Sequence, residues 1–185
     1  MSVQDFPRGC PFFESSDEEI RLVESTKPVV EDLPPEFDAR QKFNYCRDII
    51  GHVVQQPVPP CRTTCTNKAY KKSLEKDVHR AKSWRKVLND AQSIKQEIFD
   101  NGPVLSSFKM YEDFRYYKSG VYVPTTKESS TSHSIKIIGW GGASGREYWL
   151  AVNSWNEEWG DHGLIKMAFG KNRLEKIVLS IEPDM

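Results

Sequence analysis

The chain has 185 residues, which is enough for one domain with a buried core. Its 26 Lys and Arg residues balance its 26 Asp and Glu residues, so the net charge provides no attraction to nucleic acid or to an anionic membrane. A hydrophobic fraction of 38% is typical of a soluble globular protein, and no apolar run is long enough to span a membrane. We therefore expect neither a nucleic-acid partner nor a membrane partner.

Residues 1–32 are predicted to form a flexible acidic arm. Asp17, Glu18 and Glu19 lie together, and the stretch that begins at Lys27-Pro28 is typical of a linker. The first residues, MSVQDFPRGCPFFESS, lack the apolar core of a secretory signal peptide. These residues by themselves leave the cellular compartment unknown.

Four cysteines occur in the chain, at Cys10, Cys46, Cys61 and Cys65. Four cysteines allow three disulfide pairings, and the sequence leaves the choice among them open. Cys61 and Cys65 with the distant His79 would make a poor zinc site, because structural zinc needs four closely placed ligands. We therefore predict no metal and no cofactor.

The middle of the chain alternates strand and helix patterns. Asp90 is expected to cap a helix that reaches Asp100, with Ile94 and Ile98 on one face and Gly102 at its end. The other predicted elements are strands at 84–88, 104–108, 121–123, 164–169 and 177–181 and a short helix at 111–117. The many aromatic residues of this region are predicted to be core, since no basic stripe accompanies them.

A predicted hairpin carries the candidate chemistry. His133 begins an apolar run that alternates like a strand, and Gly141-Gly142 with Gly145 are expected to form the turn. The second strand, residues 148–152, ends at Asn153, so strand pairing would place its amide beside the imidazole. An amide oxygen that accepts from one ring N–H would orient the imidazole, and the other ring nitrogen would serve as a general base toward a nucleophile.

Several segments resemble a known family. SHSIKIIGWG, YWLAVNSW and WGDHG are similar to the C-terminal half of papain-like cysteine peptidases, and NGPV and YKSGVY are similar to their cathepsin B-like members. The resemblance covers residues 33–55 and 61 to the C-terminus. It implies an α+β fold, a right-hand lobe built on an antiparallel, partly closed β-barrel with one or two short helices and an extended N-terminal arm.

The resemblance also implies a domain plan. Residues 1–32 would be the tail of a propeptide, 33–56 the N-terminal arm of the mature enzyme, and 57–185 the C-terminal lobe. Most of the left-hand lobe would be missing. The family implies a lysosomal or extracellular location and a peptide, protein substrate or inhibitor as partner. The oligomeric state is not implied.

The resemblance further implies roles for single residues. His133 would be the base, Asn153 its orienter, and Trp155 the indole that shields their hydrogen bond from water. Ser132, Trp155, Trp159 and Leu179 would lie in the substrate cleft, where the two tryptophans would form an exposed apolar patch. Leu179 stands where cathepsin B-like enzymes carry an acidic residue in the pocket for the second substrate side chain, so the acidic preference is expected to be lost.

The nucleophile segment departs from the family pattern. Gln55 lies nine residues after Cys46, the spacing of the glutamine that donates to the oxyanion hole, and the family then reads Gln-x-x-Cys-Gly-x-Cys-Trp. This chain reads QQPVPPCR instead. Cys61 has the spacing of the nucleophile, but Pro57, Pro59 and Pro60 oppose the helix start that lowers the pKa of a catalytic thiol.

The residues after Cys61 resemble a segment that lies far downstream of the nucleophile in the family. In that segment, the residue that corresponds to Cys61 is a disulfide cysteine. We therefore predict a cathepsin B-like peptidase homologue that is weak or inactive. The alternatives are a non-catalytic homologue that binds peptides or a protein partner, and a truncated gene product.

Overall fold

The computed structural model describes residues 32–46, 69, 81–126 and 129–184. The strands are β1 (Phe37–Asp38), β2 (Ala81–Lys86), β3 (Val104–Tyr111), β4 (Val121–Tyr122), β5 (Ser129–Ala143), β6 (Arg146–Val152), β7 (Leu164–Ala168) and β8 (Val178–Pro183). The helices are α1 (Ala39–Lys42), α2 (Ala91–Asn101) and the 3-10 helices Asn44–Cys46, Glu112–Tyr116 and Leu174–Lys176. Gln55, Cys61, Cys10, Cys65 and the arm before residue 32 lie outside the described residues.

The described strands form one sheet with the order β2-β8-β3-β5-β6-β7-β4, and β1 adds to β5. All pairs are antiparallel except β4 with β7, which is parallel. The α+β class is confirmed. Within the described residues the sheet is open and does not close into the expected barrel, because β2 and β4 lie at its two ends.

The predicted helix is confirmed as α2. An Asp90 carboxylate oxygen accepts a hydrogen bond from the backbone N–H of Ser93 at 2.8 Å, as expected of an N-cap. Gly102 ends the helix with a φ of 100°, a value that side chains rarely adopt. Ile94 and Ile98 are fully buried, so the helix packs one face against the sheet.

The predicted hairpin is confirmed as β5 and β6, but of the three glycines predicted for its turn only Gly145 lies there. Ala143 pairs with Arg146, and the residues between them, Ser144 and Gly145, have φ values of 52° and 72°. Such a pair of positive φ angles matches the right-handed twist of the two strands. The prediction of a turn at Gly141-Gly142 is wrong, because both glycines lie within β5. A Cβ at Gly141 would lie 2.6 Å from the hydroxyl oxygen of Tyr148, so close packing explains this glycine.

Buried apolar side chains from the sheet, α2 and the 3-10 helix Glu112–Tyr116 make up the main core. Its largest fully buried members are Trp140, Trp149, Phe114, Ile94, Ile98, Ile135, Ile137, Ile165, Met167 and Leu174. The predicted aromatic segment before β4 therefore contributes core, through Phe114, and this core supports the strand that carries His133.

Candidate functional site

The end of the β5–β6 hairpin brings His133 and Asn153 together. The ladder between the two strands ends at the pair Lys136 and Val152, and Asn153 is the next residue along the chain. His133 is held in β5 by pairing with Phe108 of β3. Nε2 of His133 lies 2.9 Å from Oδ1 of Asn153, a hydrogen-bond distance. The predicted contact between the two side chains is present.

The hydrogen bonds around Asn153 determine which ring nitrogen carries the proton. Oδ1 of Asn153 also accepts from the backbone N–H of Ser154 at 2.8 Å, so this atom is the acceptor. Nε2 of His133 must then donate, which leaves Nδ1 of the neutral ring with its lone pair. Asn153 is 1% exposed, and its backbone N–H donates to the carbonyl of Gly163 at 2.9 Å. The amide is therefore fixed before any ligand arrives.

Aromatic rings surround the imidazole. The Trp155 ring lies 5.2 Å from it at an interplanar angle of 35°, and Phe108 and Phe114 meet it edge-on at 5.6 and 6.1 Å. Trp155 is half-buried and also meets Phe114 edge-on. These contacts restrict the rotation of the ring. The shielding role of Trp155 stays a prediction that this placement favours.

Trp159 lies behind the aromatic rings that surround the imidazole. It is 8% exposed, its indole N–H donates to the carbonyl of Arg115 at 3.1 Å, and its ring packs on Phe114 and Tyr117. Burial raises the pKa of the neighbouring Tyr117 phenol. The expectation of an exposed patch that includes Trp159 is wrong, because the indole is part of the core that supports Trp155.

An apolar groove of about 440 Å³ lies beside the histidine on the same sheet. It is lined by Pro103, Val104, Leu105, Ser134, Ile135, Lys136, Val152, Ser154, Leu179 and Ile181, a set that we call the apolar groove. Leu105 pairs with Leu179, and Ser134 and Ser154 directly follow His133 and Asn153 in the chain. Burial lowers the pKa of the Lys136 ammonium at its edge. Leu179 therefore lies in this groove, and its place in a substrate cleft stays a prediction.

The sequence did not identify the exposed apolar residues of this face. Leu105 is 39% exposed and Ile181 is 53% exposed, and both line the apolar groove. The alternation of buried and exposed residues along β3 is the signal that would have found Leu105. Ser132, which directly precedes His133 in the chain, is exposed and pairs with Lys109 of β3.

The described part of the site contains the candidate base, His133, and its candidate orienter, Asn153. Gln55 and Cys61, the predicted oxyanion donor and candidate nucleophile, lie outside the described residues. Within the described ranges, no group of three His, Cys, Asp or Glu residues is arranged to hold a metal ion. None of the helices in these ranges is long and apolar enough to cross a bilayer.

Comparison with known proteins identifies the family of the chain. The family model for papain family cysteine protease matches residues 29–181. Cathepsin B-like cysteine proteinase 3 of Ostertagia ostertagi is 41% identical over 124 residues, which cover 66% of this chain and 71% of that protein. Cathepsin B-like cysteine proteinase 4 of Caenorhabditis elegans is 42% identical over 134 residues, which cover 69% of this chain but 40% of that protein.

Two solved structures share the fold. The proCathepsin B S9 from Trypanosoma congolense superposes with a TM-score of 0.69 at 19% identity, over 83% of this chain and 79% of that one. The digestive procathepsin L2 proteinase from Tenebrio molitor larval midgut superposes with a TM-score of 0.52 at 27% identity, over 56% of this chain and 34% of that one. The chain therefore belongs to the papain family of cysteine proteases, among the cathepsin B-like members.

Proposed function

We propose that the chain is a cathepsin B-like peptidase homologue that binds peptides across His133 and the apolar groove, with weak or no hydrolysis of its own. The observation that carries this proposal is the 2.9 Å contact between Nε2 of His133 and Oδ1 of Asn153. A histidine held in this tautomer presents Nδ1 as a proton acceptor, which is what a thiol nucleophile requires.

The proposed chemistry is acyl transfer through a thiolate. Nδ1 of His133 accepts the thiol proton, the thiolate sulfur adds to the scissile carbonyl carbon, and the imidazolium then protonates the leaving amine as the peptide C–N bond breaks. Water next attacks the acyl-enzyme with the neutral imidazole as base, and the thiol is regenerated. Nε2–H donates to Asn153 in both protonation states of the ring, so the orientation persists through the cycle.

The expected low activity follows from the sequence between Gln55 and Arg62. The family pattern Gln-x-x-Cys-Gly-x-Cys-Trp is replaced there by QQPVPPCR, so the candidate thiol is Cys61 in a proline-rich context. Removal of the nucleophile from a comparable hydrolytic triad lowers kcat by about 10⁶. Hydrolysis by this chain therefore depends on whether Cys61 reaches Nδ1.

An epoxysuccinyl peptide tests the catalytic half of the proposal, since it alkylates an activated papain-type thiolate. Intact mass and peptide mapping after treatment of the native chain would show whether Cys61 is modified. We expect slow modification that is no faster than that of a small free thiol, and no change in the His133→Ala variant. Rapid modification of Cys61 that is lost in His133→Ala would instead establish an active peptidase.

The matched control for His133→Ala is His162→Asn. His162 is exposed and has a φ of 52°, a conformation that asparagine tolerates. It lies outside the His133–Asn153 pair, so in this variant the epoxysuccinyl peptide should modify Cys61 at the wild-type rate.

The apolar groove supports the peptide-binding half of the proposal. Leu105 is 39% exposed at its rim, and exposed apolar surface of this kind marks interaction sites. A fluorescent peptide with apolar side chains should bind with a measurable dissociation constant, and Leu105→Asp should weaken it. Leu88→Asp is the control, because Leu88 is equally exposed but does not line the groove. Equal weakening by both variants would reject the groove as the binding site.

A further inference from the structure

The loop after β7 carries a cluster of cations. Lys171, Arg173 and Lys176 are exposed, and none of them forms an ion pair with another residue of the described ranges. They line a depression of about 840 Å³ together with Asn172. Arg173 and Lys176 also line a second depression of about 520 Å³, which Lys109 shares. We call Lys109, Lys171, Asn172, Arg173 and Lys176 the basic groove.

One acidic residue, Glu175, lies within this loop and also lines the larger depression. An Oε1 atom of Glu175 accepts from the indole N–H of Trp149 and from the backbone N–H of Gly170, both at 2.9 Å. These two donors fix Oε1, and the exposed cations Lys171, Arg173 and Lys176 outnumber this single carboxylate. The basic groove therefore keeps an excess of positive charge, although the formal net charge of the whole chain is zero.

Asn172 supplies a second and independent indication of a ligand. The residue is 6% exposed and lines the larger depression, and neither Nδ2 nor Oδ1 has a hydrogen-bond partner among the described residues. A buried amide without partners is unfavourable, so native proteins seldom keep one without a reason. Its backbone carbonyl accepts from the N–H of Lys109 at 2.9 Å, so the side chain is held at this position.

The loop is attached to β3 along its length. The Ser106 hydroxyl donates to the carbonyl of Leu174 at 2.6 Å, and the N–H of Ser107 donates to the carbonyl of Ile177 at 3.1 Å. Together with the bond from Lys109 to Asn172, these contacts fix the loop before a ligand binds. Preorganisation of this kind reduces the entropy lost on binding.

We infer that the basic groove is an oxyanion site, and that its occupant is an acidic side chain of a peptide bound at His133. Guanidinium and ammonium groups match a carboxylate, and the unpartnered Nδ2 of Asn172 would gain an acceptor if the side chain turned toward the bound ligand. The smaller depression also contains Ser132, which pairs with Lys109 and directly precedes His133. The choice of occupant rests on the proposed function, but the oxyanion site itself does not.

The side-chain amide resonances of Asn172 provide a direct test on the full chain. Inorganic sulfate, titrated against sodium chloride at equal ionic strength, should shift these resonances in a saturable way. Asn172→Asp places a carboxylate at the same position and should abolish sulfate binding. Arg173→Gln combined with Lys176→Gln should weaken it at least tenfold.

The matched control is Arg146→Gln combined with Lys118→Gln. Both residues are exposed and outside the basic groove, so this variant loses the same charge and should bind sulfate like the wild type. Absence of a saturable shift in the wild type, or equal losses in the two double variants, would overturn the oxyanion site.

A pair of peptides identifies the occupant. A peptide that contains glutamate should bind several-fold more tightly than its glutamine counterpart, and the difference should vanish in Arg173→Gln with Lys176→Gln. Equal binding of the two peptides, with sulfate binding intact, would overturn the acidic side chain as the occupant. Failure of both peptides to bind while sulfate binds would count against the proposed function and leave the oxyanion site standing.

Discussion

Oδ1 of Asn153 accepts the Nε2–H of His133 at 2.9 Å, just beyond the last paired residues of the hairpin. A register shift between Ile137 and Gly139 precedes this end of the ladder. The orientation of the imidazole is thus held by one side-chain bond and by aromatic packing, since no β5–β6 backbone bond reaches it. Changes to that bond should therefore alter the histidine without disrupting the sheet.

We predict that in Asn153→Ala the neutral ring of His133 is no longer restricted to the Nε2–H tautomer. Without the amide oxygen, Nε2–H loses its acceptor, and the nitrogen-15 shifts of the ring should move from the Nε2–H form toward a mixture of both tautomers. The variant also loses buried hydrogen bonds, so the free energy of unfolding should fall by about 1–3 kcal/mol.

Ser154→Ala is the control for this change. It keeps the backbone N–H that donates to Oδ1 of Asn153, so the tautomer of His133 should stay as in the wild type. A ring spectrum of Asn153→Ala that is identical to that of the wild type would show that the amide does not set the tautomer.

Trp159 is predicted to act as a structural residue. Trp159→Phe removes the indole donor to the carbonyl of Arg115, and the free energy of unfolding in urea should fall by about 1 kcal/mol or more. Trp84→Phe is the control, because Trp84 is 41% exposed and should change stability by about 0.5 kcal/mol or less. A Trp159→Phe variant as stable as the wild type would contradict the core assignment.

The carboxylate of Glu97 joins α2 to two strands. We predict that Arg85→Ala, which removes its cationic partner, lowers the free energy of unfolding. Glu97 is 3% exposed and accepts from Arg85 at 2.5 Å, from the Ser180 hydroxyl at 2.7 Å and from the amide of Asn101 at 2.9 Å. Loss of the guanidinium leaves a buried carboxylate without its cation. We expect a loss of about 3–5 kcal/mol in urea unfolding at neutral pH.

Lys82→Ala gives the matched comparison on the same strand. Lys82 pairs with Glu182 at 2.9 Å, but both side chains are largely exposed and solvent screens the pair, so Lys82→Ala should cost much less stability than Arg85→Ala. Similar losses in Arg85→Ala and Lys82→Ala would show that burial of Glu97 is not the source of the effect.

Stability should depend on Asp113 at acid pH. Burial alone would raise the pKa of this carboxyl, but donors from Thr125, Tyr122 and Thr126 lower it below the ordinary value. A carboxyl whose native pKa is lowered stabilises the fold above its unfolded pKa of about 3.9, and the contribution is lost as the pH falls through the native pKa.

Asp113→Asn should therefore be less stable than the wild type at neutral pH, and the difference should shrink below about pH 4. Urea unfolding between neutral and acid pH would measure it. Asp184→Asn, at an exposed terminal position, should follow the wild-type curve. A constant difference between Asp113→Asn and the wild type across this range would contradict the assigned hydrogen bonds.

Local patterns in the sequence were enough to identify α2, the hairpin and its terminal pair. The Asp90 cap, the Gly102 stop and the spacing of Ile94 and Ile98 act within a few residues, so they can be read before the fold is known. The contact of His133 with Asn153 was predictable for the same reason, since one hairpin brings both residues to its end. The hairpin turn was misplaced because Gly141 is required by contact with Tyr148 and not by backbone curvature.

Other features were decided only by the tertiary structure. Glu97 and Asn172 are polar residues, but packing of distant strands and loops buries them. Trp159 was expected in an exposed patch but is buried, because the 3-10 helix that carries Phe114 packs against it. The burial of a side chain and the identity of its partners depend on which elements, distant in sequence, pack together. Local patterns in a single sequence do not contain that information. The basic groove exists for this reason: β3 supplies Lys109, the loop after β7 supplies the other four members, and their meeting point is set by the packing of the sheet.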